Sequence, residues 1–580
     1  MKAYTNPLSR DAMISSTAGV YFTTSLFNFG LVLLGLILVC KLASVVPFLR
    51  LGGWLSFVRR RKLPLPPGPP RSFFLGHYRT VPFDTPFKKY AEWGKQYQSD
   101  VLYFSAFGKP WIVLNSLEAA VDLLEKRGHK YSDRPRFVLW ELMGWAPTLT
   151  WLRWSPKMQQ HRRMLQPPFS RSRVGQFKPV QKREAVRAAL CMVRDPEHWA
   201  KAATRFAVGV VLDISYGIEL KWTGYCNNNN RYVALLDDAS KAIGDAGPPA
   251  SSIVDRWPLT RHLPAWLPFM ERLRYARKWR SAIVQVTNFP FSAALREMLS
   301  TSLEKTTKPS FVRERLDVFR RNQQAGVHND FGMDDIKGSA ATILIAGSDT
   351  TATAVRLFIL YMMQNPRVQK RAQTEIDRVI GTTTLTEMRR LPTWGDMNKL
   401  PYLALLLQEV YRSNPLSPLG IPHATLEEDE YRGMLIPKGT VVYPNVWAMA
   451  HDPLVYSTPD EFLPERYMPQ GSTTIGQTKD DGAPGRGEPF PVGNFGFGRR
   501  ICIGRTLAEN SLLIVFATIL ATLEIGPPGG EDGQEDQEVQ WSFRGQAYPL
   551  PFRCSIVPRS GMAVSLLEDS AGDPENRERF

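Results

Sequence analysis

Cysteine is scarce in this chain. There are five in 580 residues, Cys40, Cys191, Cys226, Cys502 and Cys554, with no Cys-x-x-Cys pair and no disulfide-like spacing. That argues against a disulfide framework and fits a reducing compartment. The chain also lacks a Gly-x-Gly-x-x-Gly loop and any segment long enough for a flavin or nicotinamide domain. It has no internal repeat and no linker that divides its body. Apolar residues make up 43% of the sequence, enough for one large core. Basic charge is in excess, at +17. It does not form the footprint of a nucleic-acid motif, because the cations sit near an apolar N-terminal stretch or between aromatics. Nucleic acid is therefore excluded as a partner, and an anionic protein surface or anionic lipid is expected.

Residues 20–40 carry no charge and are rich in Leu, Phe and Val. Such a stretch can cross a bilayer as one helix. Lys41, Arg50, Arg59, Arg60, Arg61 and Lys62 follow it, whereas only Lys2 and Arg10 precede it, partly offset by Asp11. The positive-inside rule then places residues 1–19 in the lumen and the body in the cytosol, as a single-pass anchor in the endoplasmic reticulum membrane. The alternative is a cleaved secretory signal with residues 26–40 as its apolar region. Residues 41–70 read as a basic, proline-rich hinge, semi-rigid through Pro64, Pro66, Pro67, Pro69 and Pro70. Taken alone, those prolines could equally be a ligand for a proline-binding domain. The body is expected at 71–558. Residues 470–489 read as a flexible polar loop and residues 559–580 as a polar tail.

One short stretch concentrates chemistry. Phe495, Gly498, Arg500, Cys502 and Gly504 stand at the mouth of an apolar run extending to Ala521. Such a run reads as a buried helix, and its N-terminus at Cys502 would favour an anion. Gly498 and Gly504 lack a Cβ, so the backbone can turn tightly and approach a flat macrocycle. Phe495 can shield a sulfur from water. Arg500 can pair with a carboxylate. The plain alternative is a buried cysteine, the commonest fate of a free thiol. A second stretch lies in the long helix expected between Asp334 and Gln364, where Gly347, Ser348, Asp349, Thr350 and Thr351 interrupt apolar residues. Gly347 is expected to weaken the helix and open a groove. Thr350 can bond back to a carbonyl one turn earlier. Asp349 beside a hydroxyl offers a proton route; a solvent-facing polar turn is the alternative. Glu409 and Arg412 share a helix face among leucines, so burial and a further partner are expected. Arg466 is the candidate.

The five positions around Cys502 resemble the haem-binding signature of the cytochrome P-450 superfamily. Asp349 and Thr350 resemble its acid–alcohol pair. Glu409, Arg412 and Arg466 resemble its Glu-Arg-Arg network, and the order along the chain also agrees. The resemblance implies a mainly α fold with a small β-rich region, behind a transmembrane helix. It implies haem b with Cys502 as thiolate ligand to iron, and Asp349 and Thr350 delivering protons to bound dioxygen. Arg500, Arg162 and His423 become propionate contacts, while Phe495, Gly498 and Gly504 shape the loop. One departure is Met158, which stands where the family has tryptophan four residues before the arginine at 162; Trp151 and Trp154 lie nearby at the wrong spacing. The implied activity is a monooxygenase of microsomal type, similar to fungal enzymes that tailor secondary metabolites. It would take O2, a small apolar organic substrate and electrons from a separate NADPH–cytochrome P-450 reductase. Phe137, Trp140, Leu142, Met143, Trp145, Leu149 and Trp151 fall where the family places a substrate-facing loop. Two other readings stand beside it: a reductase-independent haem-thiolate isomerase or dehydratase, and a non-catalytic haem-binding membrane protein.

Overall fold

The computed structural model describes residues 63–72, 76–82, 84–145, 147–221, 230–247, 252–300, 308–381, 388–472, 474–475, 478–479, 485–529, 539–543 and 546–572. The anchor expected at 20–40 and most of the hinge expected at 41–70 lie outside them.

The described body is mostly helical. Its centre is built from α1 (Lys178–Arg194), α2 (Trp199–Tyr216), α3 (Met333–Gln364) and α4 (Arg505–Thr522). Each carries apolar side chains on most of its circumference, so each needs neighbours on most sides. α3 packs along α2, and α1 packs against both α2 and α4. Phe358 of α3 and Phe516 of α4 stack with ring centroids 3.9 Å apart. α3 and α4 are both long and apolar enough to cross a bilayer, but in each the most apolar stretch is 67% buried inside the protein. They are core helices.

Close approach is made possible by missing side chains. A Cβ on Gly347 would lie 2.5 Å from Val211 Cγ1, and one on Gly209 would lie 2.6 Å from Glu184 Oε2. The expectation that Gly347 opens a groove is therefore corrected. α3 runs unbroken from Met333 to Gln364, and Gly347 closes the α2–α3 contact.

The β-rich region is a four-stranded sheet. Strands β1 (Val101–Ala106) and β2 (Lys109–Leu114) form a hairpin whose turn, Phe107 and Gly108, has positive φ at both residues. Such a turn matches the natural twist of paired strands. β2 pairs in parallel with β4 (Val441–Pro444), and β4 pairs antiparallel with β3 (His423–Ala424), giving the order β1-β2-β4-β3. A second, small unit contains residues 63–65 and 430–436, where Leu435 N–H donates to the Pro64 carbonyl.

Three sequence expectations change. The polar tail expected at 559–580 begins as a helix, Gly561–Ala571, capped by Ser560 and burying Ala563, Leu567 and Ala571. The polar loop expected at 470–489 is pinned at its end, because Glu488 pairs with Arg466 at 2.6 Å. Cys191 is disulfide-bonded, although the spacing showed no disulfide pattern, while Cys502 and Cys554 are free thiols.

Candidate active site

The cysteine loop is a tight turn closed by its own backbone. Cys502 N–H donates to the Phe495 carbonyl at 2.8 Å. Gly496 and Gly498 between them have φ of 74° and 53°. Gly498 has no alternative, since a Cβ there would sit 2.1 Å from the Leu124 carbonyl oxygen. α4 begins at Arg505 with Gly504 as its cap, three residues later than the sequence indicated. The helix end still reaches the sulfur, because the N–H groups of Gly504 and Arg505 donate to it. Phe495 packs edge-on against Tyr411 at 5.4 Å and lies beneath the Arg505 guanidinium at 5.5 Å.

Cys502 is exposed, yet burial is the largest influence on its thiol and raises its pKa; the two N–H groups, Arg162 and Arg505 pull the other way. These facts agree when the sulfur faces a cleft walled by protein instead of bulk water. Ala346 shows the same pattern: it is exposed in the middle of a core helix.

Cations gather beside the loop. Arg162, on the helix Pro156–Leu165, donates to the Ile501 carbonyl at 3.1 Å and so ties that helix to the residue before the cysteine. Arg500 donates to the carbonyls of Ser132 at 2.7 Å and Leu152 at 2.8 Å. Arg134, which the sequence did not single out, donates to the carbonyls of Ile421 and Pro422, each at 2.7 Å. His423 follows on β3 and bonds through Nδ1 to the Tyr131 carbonyl at 2.8 Å. Burial lowers the pKa of all four, with Arg500 pushed down to about 10. Mutual repulsion adds to this, Arg500 acting on Arg134 and Arg162 on Arg500. Among the described residues, Asp133 is the carboxylate that counters Arg134 and Arg500, and it is already held by Arg153 and the Trp154 N–H. A cluster with surplus positive charge beside a thiol suits a ligand that carries carboxylates and a metal. The donor set therefore fits haem, with Cys502 for the iron and Arg134, Arg162, Arg500 and His423 toward the propionates.

Met158, where the resemblance expects tryptophan, is buried. Trp154 instead lies under the Arg499 guanidinium at 5.4 Å, and Trp151 packs on Trp140.

On α3, Thr350 Oγ1 donates to the Ala346 carbonyl at 2.7 Å, the back-bond the sequence indicated. Asp349 Oδ2 accepts from Gln546 Nε2 at 2.9 Å, a partner the sequence did not indicate. Burial raises the pKa of the Asp349 carboxyl, a nearby Asp237 adds to the rise, and Arg356 and the Ser240 hydroxyl oppose it.

The structural network forms. Glu409 and Arg412 make two hydrogen bonds at 2.8 and 2.9 Å, Arg466 joins Glu409 at 3.1 Å, and Tyr467 donates to it at 2.8 Å. Glu409, Arg412 and Arg466 are fully buried. The aromatic stretch behaves differently from a free-standing lining. Residues Val138–Met143 form a helix, and Trp140 packs against Phe137, Trp145 and Trp151 at 5.3, 4.9 and 4.5 Å. Leu149 N–H donates to Thr342 Oγ1, which brings this wall to α3 one turn before Ala346.

Comparison with known proteins agrees. The family model described as Cytochrome P450 matches residues 66–546. Tryptamine 4-monooxygenase of Psilocybe cyanescens is 33% identical over 508 residues, covering 87% of this chain and 94% of that protein. Cytochrome P450 monooxygenase 136 of Postia placenta is 34% identical over 517 residues, covering 88% and 92%. Cytochrome P450 monooxygenase ple1 of Rhodocybe pseudopiperita is 33% identical over 518 residues, covering 89% and 93%. With similarity along nearly the whole length and a free thiol in a glycine-turned loop, the chain belongs to the cytochrome P450 family, monooxygenases that hold haem b by a cysteine thiolate.

Proposed function

We propose that this chain inserts one oxygen atom from O2 into a small, apolar, aromatic substrate. Electrons come from NADPH through a separate membrane-bound reductase, and the setting is fungal secondary metabolism at the endoplasmic reticulum membrane. When bound, thiolate-held haem supplies an iron rich enough in electron density to favour cleavage of the O–O bond. The chain's own residues do the rest. Arg134, Arg162, Arg500 and His423 bind carboxylates, and Phe495 shields the sulfur. Asp349 keeps a proton to higher pH than an ordinary carboxylate, and it precedes Thr350, whose hydroxyl donates to the Ala346 carbonyl.

The observation that carries the reading is this acid–hydroxyl pair on an unbroken core helix. Both side chains are held in place, Thr350 by the Ala346 carbonyl and Asp349 by Gln546, at a burial cost that an apolar pair would avoid. An isomerase acting on peroxides needs no such pair. The stacked wall of Phe137, Trp140, Trp145 and Trp151 supports an aromatic substrate, as does the name of the relative that oxidises tryptamine. The membrane setting is supported by the segment from Trp257 to Phe269, where Leu259, Trp266 and Phe269 are 83%, 76% and 74% exposed. Exposed tryptophan beside Arg261, Arg272 and Arg274 is the composition of a lipid-facing surface.

The test is reconstitution of the full chain with NADPH–cytochrome P450 reductase and a panel of indoles that includes tryptamine. Product should require NADPH, reductase and O2 together. Thr350→Ala should keep haem and NADPH consumption while electrons divert to hydrogen peroxide. Conversion of an organic hydroperoxide into an isomer that keeps both peroxide oxygens, with no product from O2 when NADPH and reductase are supplied, would make the chain an isomerase.

A further inference from the structure

Arg162 reaches the Ile501 carbonyl, and the residue before it on the same helix, His161, reaches α3. The His161 imidazole is fully buried. Its Nε2 lies 2.8 Å from Asp335 Oδ1, and its Nδ1 lies 3.2 Å from Ser339 Oγ. Burial lowers the His161 pKa and Lys157 adds to this, against the pull of Asp335, so the ring is neutral. A carboxylate only accepts, so Nε2 carries the proton and Nδ1 accepts from the Ser339 hydroxyl. Asp335 and Ser339 stand at i and i+4 on α3, so they grip the ring from successive turns. Asp335 is itself fixed. Its Oδ2 accepts from the Gly332 N–H at 3.0 Å, at the start of α3, and its Oδ1 also meets Lys157 Nζ at 3.0 Å. Lys157 lies four residues before His161, so two side chains of the helix Pro156–Leu165 converge on one carboxylate.

Serine, histidine and aspartate also make hydrolytic triads. Here Ser339 is fully buried, so no substrate reaches its hydroxyl, and the duty of the bracket is mechanical. The helix Pro156–Leu165 has reason to need it. Met158, Arg162 and Leu165 share one face, at i, i+4 and i+7. Neither the thioether of Met158 nor the side chain of Leu165 has an N–H to donate. Arg162 is thus the donor that this face offers to a carboxylate, and no second donor beside it corrects an error in its placement. That placement depends on where the helix sits between α3 and the cysteine loop.

We propose that His161 is a positioning residue for haem: bracketed by Asp335 and Ser339, it fixes the helix Pro156–Leu165 so that Arg162 is held between the cysteine loop and a propionate. The inference rests on the assignment of Arg162 to the haem site. It makes α3 the common support of two parts of the site. The first turns of α3 fix the haem-side arginine through His161, and its middle carries Asp349 and Thr350.

The test uses the full chain loaded with haem in lipid vesicles and has two readouts. One is the rate at which haem passes to excess apomyoglobin. The other is the propionate bending band of the resonance Raman spectrum, which follows hydrogen bonding to the propionates. His161→Ala should release haem about tenfold faster, the usual cost of losing a group that orients a ligand-holding side chain. Arg162→Lys should do the same, and both should move the band in one direction. The double variant should be no faster than the faster single variant, because His161 acts through Arg162. Ser339→Ala removes one bond of the bracket. It should move both readouts less, in the same direction, and it carries the test if His161→Ala does not fold. Met164→Ala, at a buried apolar position of the same helix, should leave the band in place. An unmoved band or release rate in either bracket variant overturns the proposal. So does a band that moves equally in Met164→Ala, or a double variant about a hundredfold faster than wild type, the product of independent effects. Wild-type release and band in Arg162→Lys would overturn it at its base, by removing the assignment of Arg162 to haem.

Discussion

At the scale of single residues, Cys502 is a poor acid as it stands. Burial raises its pKa more than two N–H groups, Arg162 and Arg505 lower it. Bound iron reverses that balance, since a coordinating thiol is deprotonated outright. The sulfur's identity is therefore decisive, whereas its neighbours adjust. Cys502→Ser should lose the red-shifted Soret band of the reduced carbon monoxide complex, while Cys554→Ser should keep it. An unchanged band in the first variant would place the iron elsewhere. Cys502 was legible in the sequence because Phe495, Gly498, Arg500 and Gly504 surround it at fixed spacing. Arg134 was not, because its role comes from carbonyls of Ile421 and Pro422 nearly three hundred residues away. Gln546 escaped notice for the same reason, and no local pattern marks it.

At the scale of elements, α3 shows how a correct boundary can carry a wrong inference. Its apolar length and the absence of proline before Pro366 indicate one long helix, and the helix is there. The glycine within it was read by propensity, as a weak point. Packing overrides that reading, because Gly347 lets α2 approach. Gly347→Ala should therefore destabilise the fold by about 1–3 kcal/mol, the usual cost of overpacking a filled core, although alanine is the better helix former. Val211→Ala removes the Cγ1 that the new methyl would meet. The double variant should recover part of the loss in urea unfolding followed by circular dichroism. Purely additive losses would mean that Gly347 and Val211 do not couple. The Glu409, Arg412 and Arg466 network was legible for the opposite reason. Charges flanked by leucines on one helix must be buried, and buried charges must be paired.

At the scale of the whole molecule, sequence order sufficed for the body but not for its edges. Periodicity distinguishes a core helix from a loop. It does not say whether a short polar-looking segment docks, which is why the helix Gly561–Ala571, with its apolar face of Ala563, Leu567 and Ala571, was read as tail. The same scale holds the question of where the chain lives. A body that carries Leu259, Trp266 and Phe269 almost bare would expose them to water at a cost of about 25 cal/mol per Å2 of apolar area, unless a lipid surface takes them up. On the proposed membrane reading, with residues 20–40 as the anchor and the cations after them on the cytosolic side, this segment should meet the cytosolic leaflet. Two measurements on the full chain follow. Protease added to intact microsomes should degrade the body; protection would favour the secreted reading. In proteoliposomes, lipids brominated on their acyl chains should quench part of the tryptophan fluorescence, and Trp257→Phe with Trp266→Phe should remove that part. Quenching that survives the double substitution would mean that another surface faces the bilayer.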